Sequence, residues 1–231
     1  MPGQEILRID ARALVDFAKL RLPKIKSQIP FALTGALNDC MYASRAAVIQ
    51  EMAKRFDRPT PWVMHSLRYQ KATKADLRFV INANEAKDRM LSQAAVLKPE
   101  IAGGGRPMKA SEARIGSYWV PGQGARLDRY GNVPAATIAS ILAQLEHGEQ
   151  VTVRGKRRRS RGPSVIYFRQ GNCIYQRTGR QIVPVLILTR PPVYKQRLPY
   201  GSRIREVVAS QFAAAFNRRY QLAVRTMRGA R

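Results

Sequence analysis

The spacing of apolar residues changes several times along the chain, and each change marks an element. In residues 10–22, "DARALVDFAKLRL", it predicts a short amphipathic helix ending near Pro23. A longer helix is predicted to start at Pro30, a favoured first-turn position, and to run to about Phe56. Leu33, Leu37, Met41, Val48, Met52 and Phe56 recur at helical spacing there, and "DRPTP" at 57–61 ends the run. The period then drops to two. Leu67 and Tyr69, then Leu77, Phe79 and Ile81, alternate with polar residues on either side of "ATKAD", the pattern of a β-hairpin with one wet face. Residues 85–97 are helical again, "PEIAGGGRPMK" reads as a flexible loop, and "ASEARI" as one more helical turn.

Turn residues dominate 118–134, "YWVPGQGARLDRYGNVP", which leads into a helix predicted at about 133–146. Three strands follow at 164–169, 173–177 and 182–189, separated by the turn sequences "QGN" and "TGRQ". The last element is a long helix at about 203–228, where Ile204, Val208, Phe212, Phe216 and Tyr220 form an i+4 stripe. The expected fold is α+β: helices packed on a small antiparallel sheet, with a long C-terminal helix, because the strand connections are short. One domain is expected over 1–231, with 98–131 and 154–162 as loop extensions.

Charge changes this picture more than composition does. Apolar residues make up 45% of the chain, enough for a core. The net charge of +26 is concentrated late, since Glu206 is the one carboxylate after Glu149. "RGKRRRSRG" at 154–162 carries Arg154, Lys156, Arg157, Arg158, Arg159 and Arg161. Such a region calls for a polyanion or an acidic protein surface as partner. Cys40 and Cys173 read as two reduced core thiols with no metal-ligand spacing. No run approaches the ~18 apolar residues of a membrane helix, and "MPGQEILRID" lacks a secretory apolar region. A soluble protein of a reducing compartment is expected.

Candidate chemistry is sparse. "GGGRPMK" at 103–109 fails as a phosphate loop: Pro107 removes an amide, and Ala110 follows Lys109 where Ser or Thr is needed. His65 has no nucleophile or acid beside it in sequence, and His147 is accounted for by a helix C-terminus. Asp57, Asp76 and Asp128 sit in turn-like sequence. No enzyme, metal or cofactor is expected. The basic stretch stays open between a nucleic-acid contact, a targeting signal and a solvated loop.

Several stretches together resemble a phage family. "IPFALTGALND" at 29–39, "EMAKRFDRPTPWVMHSL" at 51–67 and "KATKADLRFVI" at 71–81 are similar to the opening of tail-completion or minor tail proteins of the lambda minor tail protein Z type. "LDRYGNVPAATIASIL" at 127–142 and "QRTGRQIVPVLILTRPPVYKQRLPY" at 176–200 resemble their middle and end. The resemblance implies a structural virion protein of the neck, made in the host cytoplasm, that completes the tail or joins it to the head. It implies a homo-oligomeric ring around the DNA channel, touching portal, head-completion or tail proteins, with a long helix on an antiparallel sheet. Arg154, Lys156, Arg157, Arg158, Arg159 and Arg161 are then the expected contact to DNA or to an acidic neighbour. Tyr118, Trp119, Arg126, Asp128 and Tyr130 are the expected subunit interface. The competing reading is a sequence-independent nucleic-acid-binding protein working through its basic 150–231 region.

Overall fold

The computed structural model describes residues 8–10, 28–85, 92–147 and 165–228. In chain order the first half holds β1 (Arg8–Asp10), α1 (Ile29–Arg55), α2 (Pro61–Met64), β2 (Leu67–Gln70), β3 (Arg78–Ala83) and α3 (Gln93–Ala102). Then come β4 (Gly104–Gly105), α4 (Ala110–Ile115), β5 (Tyr118–Pro121) and α5 (Ala135–His147). The remainder is β6 (Val165–Gln170), β7 (Cys173–Thr178), β8 (Gln181–Thr189), β9 (Val193–Tyr194) and α6 (Tyr200–Arg228). The fold is α+β with antiparallel sheets and a long C-terminal helix.

These residues form two compact units, where the sequence suggests one domain. Among the described residues, unit 1 comprises 8–10, 28–85, 92–103 and 195–228, and unit 2 comprises 104–147 and 165–194. The reason is topological. Unit 2 is inserted into unit 1, and its entry and exit strands pair with each other, Gly104 with Tyr194 and Gly105 with Val193. Each unit then closes around an apolar core of its own.

Unit 1 is built on α1 and α6. Pro30 opens α1 at a position whose N–H is unbonded in any helix. The helix stops where Phe56 turns extended and Arg58 adopts a positive φ of 44°. The two helices run antiparallel: Ile29 and Leu33 meet Phe216 and Tyr220, whereas Met52 shares a cluster with Tyr200 and Ile204. Ala36, Cys40 and Ala215 keep the middle of the seam narrow. The i+4 stripe of α6 stacks ring on ring, Phe212 on Phe216 at 6.3 Å and Phe216 on Tyr220 at 5.9 Å. Leu67, Phe79 and Ile81 fill the core from a three-stranded sheet ordered β1-β3-β2, with Tyr69 opposite Ile81 in the hairpin. Asn38 fastens the hairpin connection to α1, donating to the Ala72 carbonyl (3.2 Å) and accepting from its amide (2.9 Å).

Unit 2 is a four-stranded sheet ordered β5-β8-β7-β6 with α5 across one face. Ile138, Ile141 and Leu142 of α5 pack on Ile174, Val185, Leu186 and Leu188, with Ile115 and Val133 at the margins. A bulge between Ile174 and Tyr175 shifts the register with β8. Gln144 satisfies the outer edge of β6: its amide nitrogen donates to the Val165 carbonyl (3.2 Å), and its oxygen accepts from the Tyr167 amide (2.6 Å).

The helix expected at 10–22 falls almost wholly outside the described residues, and Arg8–Asp10 is a strand on β3. The segment 98–131, expected as a loop extension, contains the end of α3 together with β4, α4 and β5. Its glycines are structural. Gly103 and Gly104 take positive φ (77° and 93°), and a Cβ on Gly122 would sit 2.5 Å from the Pro184 carbonyl oxygen. The second loop extension, 154–162, lies outside the described residues.

Candidate functional site

The six cations Arg154, Lys156, Arg157, Arg158, Arg159 and Arg161 lie outside the described residues. In sequence they fall between α5 and β6, both elements of unit 2.

Within unit 2, the "GGGRPMK" stretch is fixed rather than loose. Glu112 is fully buried and receives a two-pronged ion pair from Arg106, at 2.6 Å on each oxygen. The Lys109 amide adds a third donor at 2.7 Å and closes the first turn of α4. Arg106 also donates to the Tyr194 hydroxyl (3.2 Å) and to the Pro107 carbonyl (3.1 Å), and its guanidinium lies 5.1 Å from the Tyr118 ring centre. Burial alone would raise the Glu112 pKa; Arg106 and the Lys109 amide outweigh it and hold the carboxyl below its usual 4.5. The same pairing raises the pKa of Arg106. With its donors engaged inside the protein, this group latches the entry segment to β5 and β9.

The residues expected at a subunit interface divide. Tyr118 donates its hydroxyl to the Arg106 carbonyl (2.9 Å) and belongs to the latch. Trp119 faces inward and packs on the unit 2 core, with Lys109 5.6 Å from its ring centre. Asp128 accepts from the Tyr130 and Asn132 amides (2.8 and 2.9 Å) and shapes a turn. Arg126 and Arg129 are exposed, and Arg129 lies 4.7 Å from the Tyr130 ring centre. The structure thus gathers Tyr118 and Trp119 into internal packing and leaves Arg126 exposed and Tyr130 on a separate turn.

Sequence reasoning passed over the other face of the unit 2 sheet. The register sets Val120 beside Ile187, Phe168 beside Tyr175, and Arg177 between Ile166 and Ile182. Val120, Ile166, Ile182 and Ile187 are exposed, and Phe168 stacks on Tyr175 at 5.7 Å. A signal was there to read. "SVIYFR" and "IVPVLILT" are apolar at consecutive positions, and a strand of that kind is apolar on both faces.

In unit 1, three exposed rings each carry a cation: Lys74 on Phe31 (5.5 Å), Lys71 on Tyr42 (5.5 Å) and Arg45 on Tyr69 (6.0 Å). Hydrogen bonds from Lys71 and Tyr69 lower the Tyr42 pKa. His65 is exposed, Asp57 pairs with Arg58 and Asp76 with Arg78. Among the described residues no three His, Cys, Asp or Glu side chains converge as a metal site, and no helix is long and apolar enough to cross a membrane. No family model, curated protein or solved structure matches the chain.

Proposed function

We propose that this chain is a structural protein of a tailed-phage neck, completing the tail or joining it to the head as a ring of identical copies around the DNA channel. The observation that carries the reading is the core of unit 1, where α1 and α6 pack on an antiparallel sheet. That is the core implied by the resemblance, and the resembling stretches fall on its framework. Residues 29–39 open α1, 51–67 lead from its end into β2, and 71–81 run into β3. In this reading the cations of 154–162 face the channel or an acidic neighbouring ring, where ring symmetry multiplies their charge. Copy number against the portal, by quantitative mass spectrometry of purified virions, tests the proposal. A fixed six or twelve per particle is expected, and absence from virions overturns it. Neutralising Arg157, Arg158 and Arg159 together is expected to block head–tail joining while leaving the fold intact.

A second reading, sequence-independent nucleic-acid binding through the basic 150–231 region, is favoured by the charge of that region, where Glu206 is the one acidic side chain among many arginines and lysines. It requires affinity for a DNA duplex to fall about a thousandfold between 50 and 200 mM salt, the drop for roughly six phosphate contacts.

A further inference from the structure

We infer that the outer face of the unit 2 sheet is a self-association surface that seats a neighbouring copy of this chain. The inference deepens the ring reading by assigning a subunit contact, on residues other than Tyr118, Trp119, Arg126, Asp128 and Tyr130. One face of the sheet is covered by α5, and the other carries Val120, Ile166, Ile182 and Ile187 at 36–53% exposure around the stacked Phe168–Tyr175 pair. Exposed aliphatic side chains on adjoining strands form a contiguous apolar surface of the kind that marks a protein contact.

Charge selects the occupant. Among the described residues, Arg177 is the one charged residue that the strand register sets on this face, on a chain whose net charge is +26. A surface made for a polyanion or an acidic protein would carry cations. A surface that meets another copy of a strongly basic chain has the opposite requirement, because like charges brought together repel. The charge-poor sheet face meets that requirement. In a closed ring the contact is head-to-tail, so this face meets a different surface of the neighbour.

The protein carries its own reporter. Cys173 lies on this face, opposite Ile187, and is partly exposed. Cys40 is fully buried in unit 1, and burial, with Asp39 beside it, pushes its thiol up to about 11. Alkylation of the native full-length chain therefore reads Cys173.

The experiment compares the wild type with Ile182→Lys/Ile187→Lys by light scattering after size exclusion, from 1 to 100 µM. N-ethylmaleimide labelling is followed in parallel, and the thermal melt shows that the variant is folded. The wild type is expected to be oligomeric, with Cys173 labelling slowed on the order of tenfold in the assembled state. The variant is expected to be monomeric, with labelling independent of concentration. Ile182→Thr/Ile187→Thr serves as the second variant if the lysines impair folding, and a weakening of association by at least about tenfold is expected. An oligomeric wild type whose folded variants assemble equally well overturns the inference and leaves the ring reading standing. A wild type monomeric throughout also overturns it, and the virion copy number then decides the ring reading separately.

Discussion

Two arginine–carboxylate forks of similar geometry sit in the two units of this protein. In unit 1, Arg219 donates to both oxygens of Asp39 at 2.9 and 2.5 Å, with the side chains 39% and 29% exposed. In unit 2, Arg106 donates to both oxygens of Glu112 at 2.6 Å, with exposures of 12% and 0%. Water competes for the first fork and not for the second. The first decorates a helix seam held by Ile29, Leu33, Leu37, Met41 and their partners on α6. The second lies at the entry to a smaller unit, and it fixes backbone as well as side chains. Burial, rather than bond length, sets what each fork contributes.

The largest effect expected follows from breaking the buried fork. Arg106→Ala leaves Glu112 charged, buried and held by one amide, a loss of about 3–5 kcal/mol. Hydrogen exchange read by mass spectrometry should show it in peptides from 104–147 and 165–194. Unchanged exchange there would mean that water reaches Glu112. Acid acts on the same group. Its pKa is held below 4.5, so its contribution is complete above that value and is lost as pH falls through the lower native value. Denaturant unfolding at pH 7, 5 and 3 should show unit 2 weakening toward acid, and Glu112→Gln should remove Glu112's share of that slope.

An intermediate effect is expected in unit 1 from a neutral buried hydrogen bond. Tyr200 is almost wholly buried, its hydroxyl donates to the Ile81 carbonyl at 2.6 Å, and burial raises its pKa. Tyr200→Phe keeps the packing and removes the donor, at a cost of about 1–2 kcal/mol. A loss as large as that of Arg106→Ala would end the claim that unit 1 rests on apolar packing.

The two units also differ in how far they could be read from sequence. The α6 stripe was legible because one side of it is wet, which leaves a clean period. The 67–81 hairpin was legible from its alternating apolar residues, although β3, the middle strand, also buries Val80 between Phe79 and Ile81 and so lacks the wet face expected of it. In unit 2, α5 and the β6–β8 meander were legible, but β5 was not. Its four residues run straight into "PGQG", and turn residues there signal a loop even though Gly122 and Gly124 continue along Pro184 and Val185. The glycines of 103–105 misled in the same way, since flexibility in the unfolded chain and a positive φ in the folded one use the same residue. The division into units was hidden because a two-residue ribbon joins segments about 90 positions apart, a long-range pairing that local pattern does not encode. The Arg106–Glu112 latch needed Tyr118 and Tyr194 beside it, and no local spacing announces that.

The smallest effects are expected at the exposed fork. Asp39→Asn should cost between about 0.2 and 1 kcal/mol and lose most of that cost in 1 M salt. Arg219→Ala should cost more than Asp39→Asn, because the arginine stem also covers the seam: a Cβ built on Gly35 would lie 2.9 Å from its Cδ. Gly35→Ala separates the two contributions. Alanine in place of glycine inside a helix contributes about 1 kcal/mol. The contact it creates is with a flexible stem, so the stem moves and the fork loosens, which returns a similar amount. The net change in melting temperature should be within a few degrees of zero. A fall of more than about 2 kcal/mol would show that the Arg219 stem is held as firmly as the buried fork, and the contrast between the two units would then rest on more than solvent access.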